Sequence, residues 1–442
     1  MNIQLSSHFT YKKLFRFVIP SILMMIFTSM YTIVDGFFIS NFVGKIPFAA
    51  VNLIMPVIMG ISTIGFMIGS GGSAIISMTL GKGQREQANK YFSMLIYCAI
   101  ILSVILSTLG FFFIRPIAQT LGATNELLEN SVIYGKILFA FMPIYILQVM
   151  FQSFFVAAEK PGLNLKITIS AGITNIILDF IFIVLFKWKI VGAATATIIA
   201  QCVGGLIPLI YFAFPNSSLL RFCKTKFYAK IFFKTCTNGS SEMVSNLSAS
   251  IVGILYNFQL MKIIGDDGIA AYGIIMYAGF IFMTIFLGYS IGSSPIVSYN
   301  YGAKNFGELK NMFKKGITIM TVTGLAMTIT GLIFARILIK AFAGYDKELM
   351  DLTLHGARIC MFTFIFMGIN IWGSSFFTAL NNGAISALIS FLRTLLFQIA
   401  TISILPLIWK LNGIWLSMVV ADFLAFLVTF AFLFKYRKNY KY

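Results

Sequence analysis

Twelve long apolar blocks run the length of the chain, near 14–40, 48–73, 90–113, 131–157, 164–186, 191–213, 231–260, 269–296, 311–335, 353–379, 385–408 and 412–434, with short polar stretches between them. Most hold roughly 18 to 28 residues, which at about 1.5 Å of rise per residue crosses a hydrocarbon core of about 30 Å. The pattern predicts an all-α polytopic membrane protein with twelve transmembrane helices, six in each half. The first block follows Lys12, Lys13 and Arg16 in the manner of a signal peptide. Its apolar run exceeds the roughly 7 to 15 residues of a cleavable core, so it reads as a retained first helix.

Small and polar residues add a second pattern. Gly44, Ala49, Ala50, Gly71, Ser73, Ser77 and Gly81 return without a gap as Gly265, Ala270, Ala271, Gly292, Ser294, Ser298 and Gly302, an offset of 221 residues in a chain of 442. The same offset pairs Ser153 with Ser374, Gly162 with Gly383 and Trp188 with Trp409. The chain therefore divides into an N-terminal six-helix lobe over 1–214, a linker over 215–230 and a C-terminal six-helix lobe over 231–442. Six is even, so both copies enter the membrane from one side and their pseudo-two-fold axis lies along the membrane normal, a symmetry found in transporters that rock two lobes about a central cavity.

Composition agrees: 59% of residues are hydrophobic and 11% charged, against roughly 25% charged in a soluble domain, which leaves too little polar surface to face water. Both termini and every second loop carry about twice the Lys and Arg of the alternate loops, which predicts that both termini are cytoplasmic. The net charge of +19 thus follows from topology and attraction to anionic lipid, not from nucleic acid binding. Cys98, Cys202, Cys223, Cys236 and Cys360 have no metal or redox spacing and read as small apolar residues. No cofactor and no metal centre are expected beyond a coupling ion.

Of fourteen acids, four fall at membrane depth: Asp35, Asp179, Glu242 and Asp422. An ionised side chain at mid-bilayer costs about 3 kcal/mol or more, so each marks a functional candidate. Asp35, Asp179 and Thr197 lie five to seven residues from the outer ends of their blocks, roughly 7 to 11 Å deep, and Asn175 is one turn from Asp179 on the same face. Two carboxylates, an amide and a hydroxyl supply hard oxygens for Na⁺ or a shared proton; separate hydrogen bonds that fasten helices are the bland alternative.

Block 231–260 carries Glu242, Asn246, Ser250, Gly253 and Asn257 at steps of four and three, and block 353–379 ends in Asn370, Ser374, Thr378 and Asn381. Such polar stripes are expected to line a substrate cavity (Glu242, Asn246, Asn257, Asn370, Ser374), with interhelical hydrogen bonding as the alternative. Arg393 and Asp422, central in neighbouring blocks, read as a structural ion pair. Pro20 lies in the helix that bears Asp35 and is the candidate hinge, against a fixed kink. The run Gly69–Ser70–Gly71–Gly72–Ser73 has no strand before it and reads as close helix packing, not a phosphate loop.

These residues carry a resemblance. With Ile19, Pro20 and the stretch to Val34 and Asp35, with Thr174–Asn175–Ile176–Ile177–Leu178–Asp179, and with Gly192–Ala193–Ala194 followed by Thr197, the sequence resembles the multidrug and toxic compound extrusion family over nearly its whole length. The resemblance implies the family's two-lobed twelve-helix fold. It implies that Asp35, Asn175, Asp179 and Thr197 form a cation site loaded by H⁺ or Na⁺ and coupled to bending at Pro20. It further implies antiport by rocker-type alternating access, exporting amphipathic, often cationic compounds across a bacterial plasma membrane. The chain is expected to act as a monomer. Ser241 stands where the repeat would place a second Pro20, so no acidic site of the second lobe is carried over, and Glu242 rests on the residue pattern alone.

A flippase of lipid-linked saccharide in the same superfamily would need several cavity arginines or lysines for a pyrophosphate, and only Arg393 lies clearly within a span, away from its ends. A membrane-embedded enzyme would need a nucleophile, metal cluster or acid–base pair at one face, and none emerges. An efflux transporter of small molecules is the expectation.

Overall fold

A computed structural model describes residues 3–344 and 346–442, and of Thr32 and Ala341 the backbone alone. The first half comprises α1 (Tyr11–Phe38, continued by a π-turn Ile39–Val43), α2 (Lys45–Gly81), α3 (Arg85–Thr120), α4 (Asn125–Ala140 bent into Met142–Ala157), α5 (Pro161–Asp179, then π-turn Phe180–Leu185) and α6 (Lys189–Ala213). The second comprises α7 (Ala229–Ile263), α8 (Asp266–Gly302), α9 (Phe306–Ala343), α10 (Lys347–Cys360 bent into Thr363–Ala379), α11 (Gly383–Phe391, π-turn Leu392–Leu396, then 397–409) and α12 (411–440). The last two helices are parted at Lys410, whose φ of 48° leaves the helical region. The α4 and α10 segments bend by 60° and 50°. No strand occurs among the described residues.

Helix starts follow from local chemistry. Thr10, Asn305, Asp346 and Asn382 each cap a helix by accepting a backbone N–H two or three residues on, which satisfies donors that the first turn leaves open. The hairpins α1–α2 and α7–α8 turn at Gly44 (φ 124°) and Gly265 (φ 89°), on the face opposite the termini. Only glycine adopts these angles without strain, which explains why the repeat returns that residue at that place.

Two apolar cores result. One is built within 39–220 around stacked Phe92, Phe151, Phe154, Phe155 and Phe212. The other spans 252–442 around Trp372, Phe376, Phe313 and Tyr442, and takes in Leu5, Phe9, Leu14, Phe17 and Val18 from the start of the chain. The halves meet reciprocally, α1 on α8 and α2 on α7. At Gly71 a Cβ would strike the Thr235 carbonyl and at Gly239 the Met67 carbonyl, and at Gly288 it would reach Ile22 Cα at 2.5 Å. These backbone approaches lie in the half of the molecule that carries both termini. In the other half Met30 and Phe37 of α1 and Ile254 and Phe258 of α7 are exposed.

Candidate functional site

Inside the first lobe, between α1, α2, α4, α5 and α6, lies a cavity of about 70 Å³. That is several times the roughly 10–15 Å³ one water requires, and far below the roughly 300 Å³ of a site for a drug-sized molecule. The cavity suits an ion with its water and not an amphipathic compound. Its polar lining is Tyr31, Asp35, Tyr145, Gln148, Asn175, Thr197 and Gln201, and Met55, Ile58, Met59 and Leu138 add apolar surface.

Asp35, Asn175 and Thr197 thus share one cavity. Asp179 stands one turn beyond Asn175 on α5, fully buried beside Asp35. Asp179 closes the α-helical part of α5, and the wider π-turn Phe180–Leu185 begins at the next residue. Such turns recur at functional sites because they rotate one helical face against the rest. Asp35 Oδ1, Asn175 Oδ1, Thr197 Oγ1 and both Asp179 carboxylate oxygens are buried without a hydrogen bond from an ordinary donor among the described residues, and Asp35 stands within side-chain hydrogen-bonding reach of both Asp179 and Asn175. Five buried oxygens with so few protein donors would be costly in a purely structural cluster. They suit a small hard cation, or a proton held between the carboxylates.

Four more polar liners, Tyr31, Tyr145, Gln148 and Gln201, escape a reading that looks for acids. Tyr31 precedes Asp35 by one helical turn and Gln201 follows Thr197 by one, so i±4 spacing was the available signal. Gln148 comes from the second segment of α4, and its side chain fits because α6 carries Gly204, where a Cβ would meet Gln148 Cδ at 2.6 Å. No sequence pattern announces that pairing.

In the second lobe the polar stripes divide between the bundle interior and the surface. Asn370 and Ser374 are buried in the bundle interior and do not line an open cavity. Asn370 Nδ2 donates to the Asp422 carbonyl (2.9 Å) and carboxylate (3.3 Å). The Ser374 hydroxyl joins those of Ser386 (2.9 Å) and Ser390 (3.0 Å). In this structure the two residues bond to neighbouring helices, the alternative that a stripe at helical spacing also allows. On α7, Asn246 and Asn257 remain exposed, Asn246 donating to the Glu242 carbonyl (2.8 Å), and Glu242 is half-buried within the electrostatic reach of Arg393. Arg393, carried on the π-turn of α11, places Nε 3.5 Å from Asp422 Oδ1 in the lobe interior. Helix α1 runs unbroken through Pro20 and leaves α-geometry only at its C-terminal end.

A second polar cluster joins the lobes at the face bearing the termini. Glu159, in the α4–α5 turn, accepts the Leu5 N–H (2.6 Å). Glu308 of α9 accepts the Phe9 N–H (3.0 Å) and meets His8 Nδ1 at 2.6 Å. Asn311 and Lys315 donate to the Phe9 carbonyl at 3.0 and 2.6 Å. The segment before α1 is thereby tied to both lobes.

The MatE family model matches this chain over residues 20–181 and again over 243–403. The chain is 26% identical to the multidrug export protein MepA of Staphylococcus haemolyticus over 95% of its own length and 92% of that protein, and 24% identical to MepA of Staphylococcus aureus strain MSSA476 over 93% and 91%. Among solved structures it superposes on a MATE transporter in complex with MaL6 with a TM-score of 0.93 at 22% identity, covering 98% of each chain. On an outward-facing multidrug resistance MATE transporter of the MOP superfamily the TM-score is 0.91 at 22% identity, over 100% of this chain and 98% of that one.

Proposed function

The chain belongs to the MatE family, whose curated relatives are multidrug exporters of bacteria, and on that premise we propose that it is a secondary active antiporter exporting amphipathic, cationic compounds in exchange for H⁺ or Na⁺. The five buried oxygens around a cavity sized for an ion carry this reading. When Asp35, Asp179, Asn175 and Thr197 close on a cation or a proton, the helices that bear them, α1, α5 and α6, are drawn together. Release reverses this. Because α1 also packs along α8, a change in α1 reaches the lobe interface, and rocking of the lobes about that interface alternates access. Tight packing on the face that holds the termini favours a cleft open to the opposite face. The charge bias places the termini in the cytoplasm, so that cleft opens outward. Glu242, half-buried on the otherwise exposed polar stripe of α7, is the group offered to a cationic substrate.

The test is efflux of a fluorescent lipophilic cation from proteoliposomes under separately imposed H⁺ and Na⁺ gradients. Wild type should export under one of them, and D35N/D179N should lose the gradient dependence. Undiminished gradient-driven efflux by the double variant would overturn the coupling role.

A further inference from the structure

The linker between the lobes is not slack. Residues 214–228 form no helix, yet they are laid as an extended strip against the first turns of α3. Arg221 N–H donates to Asn89 Oδ1 (3.1 Å), Cys223 N–H to Ser93 Oγ (3.0 Å), and the Thr225 hydroxyl to the Lys90 carbonyl (2.8 Å). Arg85 grips the start of the strip through the Ser218 and Leu219 carbonyls at 3.0 and 3.1 Å. Phe222 stacks on Phe92 with ring centroids 5.2 Å apart.

What this fixed strip presents outward is cationic and aromatic. Arg221, Lys224 and Lys226 on the strip and Lys230 and Lys234 in the first turns of α7 are all exposed, and none is ion-paired among the described residues. No Asp or Glu occurs from 180 to 241. Phe227 and Phe233 lie between these cations at 61% and 65% exposure. A soluble partner would have to leave two such rings wet. A membrane surface does not: headgroup phosphates meet lysines and arginines while aromatic rings settle at the interface. Because the strip sits at the end of α3, it stands at the level of the headgroups.

We propose that the linker strap and the first turns of α7 form a binding site for anionic phospholipid in the leaflet on the side of the termini. Its cations take the phosphate and Phe227 and Phe233 enter the acyl region. Neither the coupling ion nor the drug enters this argument.

The test uses the full-length protein in nanodiscs of phosphatidylcholine with a minor fraction of phosphatidylglycerol, with retained lipid read by native mass spectrometry. K224Q/K226Q/K230Q should lose about fivefold or more of its phosphatidylglycerol retention. K304Q/K310Q/K314Q, which removes the same number of charges from the same face of the other lobe, should retain it, and about 10 mM inorganic phosphate should not displace it, because phosphate has no use for the phenylalanines. Equal loss in both variants would mean a diffuse surface potential, displacement by phosphate would mean a simple anion site, and unchanged retention in the strap variant would mean no site; each overturns the proposal.

Discussion

Gly81 at the end of α2 and Gly302 at the end of α8, equivalent positions of the internal repeat, pack against each other's helices: a Cβ on Gly81 would strike the Tyr299 carbonyl, and one on Gly302 the Met78 carbonyl. The obstacle in each case is backbone, which cannot rotate away as a side chain can. The lobes meet backbone to backbone here, on the face that also holds the clasp formed by Glu159, Glu308 and the segment before α1.

Substituting either glycine by alanine should therefore loosen this face. Overpacking of this kind costs about 1–3 kcal/mol, so G81A and G302A should each lower the melting temperature, and the double variant should expose a cysteine placed near Lys82 to a polar thiol reagent. Wild-type melting and labelling in both single variants would refute the tight contact.

The buried oxygens of the first lobe make a prediction that needs no substrate. A ligand bound by the folded state alone raises stability by RT ln(1 + [L]/Kd), about 2.7 kcal/mol at a hundredfold excess over Kd. If Na⁺ is the coupling ion, NaCl should raise the melting temperature of the purified protein above that in equal KCl, and D179N should abolish the difference. Equal melting in both salts, with a pH-dependent difference between wild type and D179N, would assign the site to protons.

How much of this was legible beforehand depends on the range of the interaction. Spans were readable because a bilayer demands about 20 apolar residues, and Gly44 with Gly265 because a positive φ selects glycine. The helices nevertheless overrun their apolar blocks: α2 reaches Gly81 and α8 reaches Gly302, since a helix continues into water as polar residues without losing its backbone bonds. Asp35 and Asp179 stood out because acids are rare in such blocks. Asn370 and Ser374 were legible only as a polar stripe, because helical spacing does not distinguish a cavity from a neighbouring helix. The clasp was invisible: Leu5 and Glu159, like His8 and Glu308, lie far apart in sequence, and nothing local pairs them.

Glu159 gives a pH dependence with a definite sign. Burial pushes its carboxyl above the ordinary glutamate range, with the Leu5 N–H and then Lys160 and Arg85 pulling less strongly the other way. The folded protein therefore holds this proton more tightly than the unfolded chain. Its stabilising contribution is complete below the ordinary glutamate range and is lost as pH rises through the raised value. E159Q keeps an oxygen for the Leu5 N–H and has no proton to lose, so it should melt with wild type in acid and above it at neutral pH. A gap that narrows as pH rises would contradict this account.

Arg393 and Asp422 are best tested together. Removing one partner of a buried pair leaves an uncompensated charge and costs about 3–5 kcal/mol, whereas replacing both with apolar residues of similar size is often neutral. Asp422 also accepts from Asn370, and Glu242 lies within reach of Arg393, so D422L should strand the guanidinium and R393M the carboxylate. Each single variant should fall by several degrees in melting temperature, and R393M/D422L should recover most of the loss. Transport decides what the pair is for. If the double variant is both stable and active, the pair fastens α11 to α12 and does nothing else. If it is stable yet inert under a gradient that drives wild type, the structural reading fails, and the charges of the second lobe take part in the transport cycle.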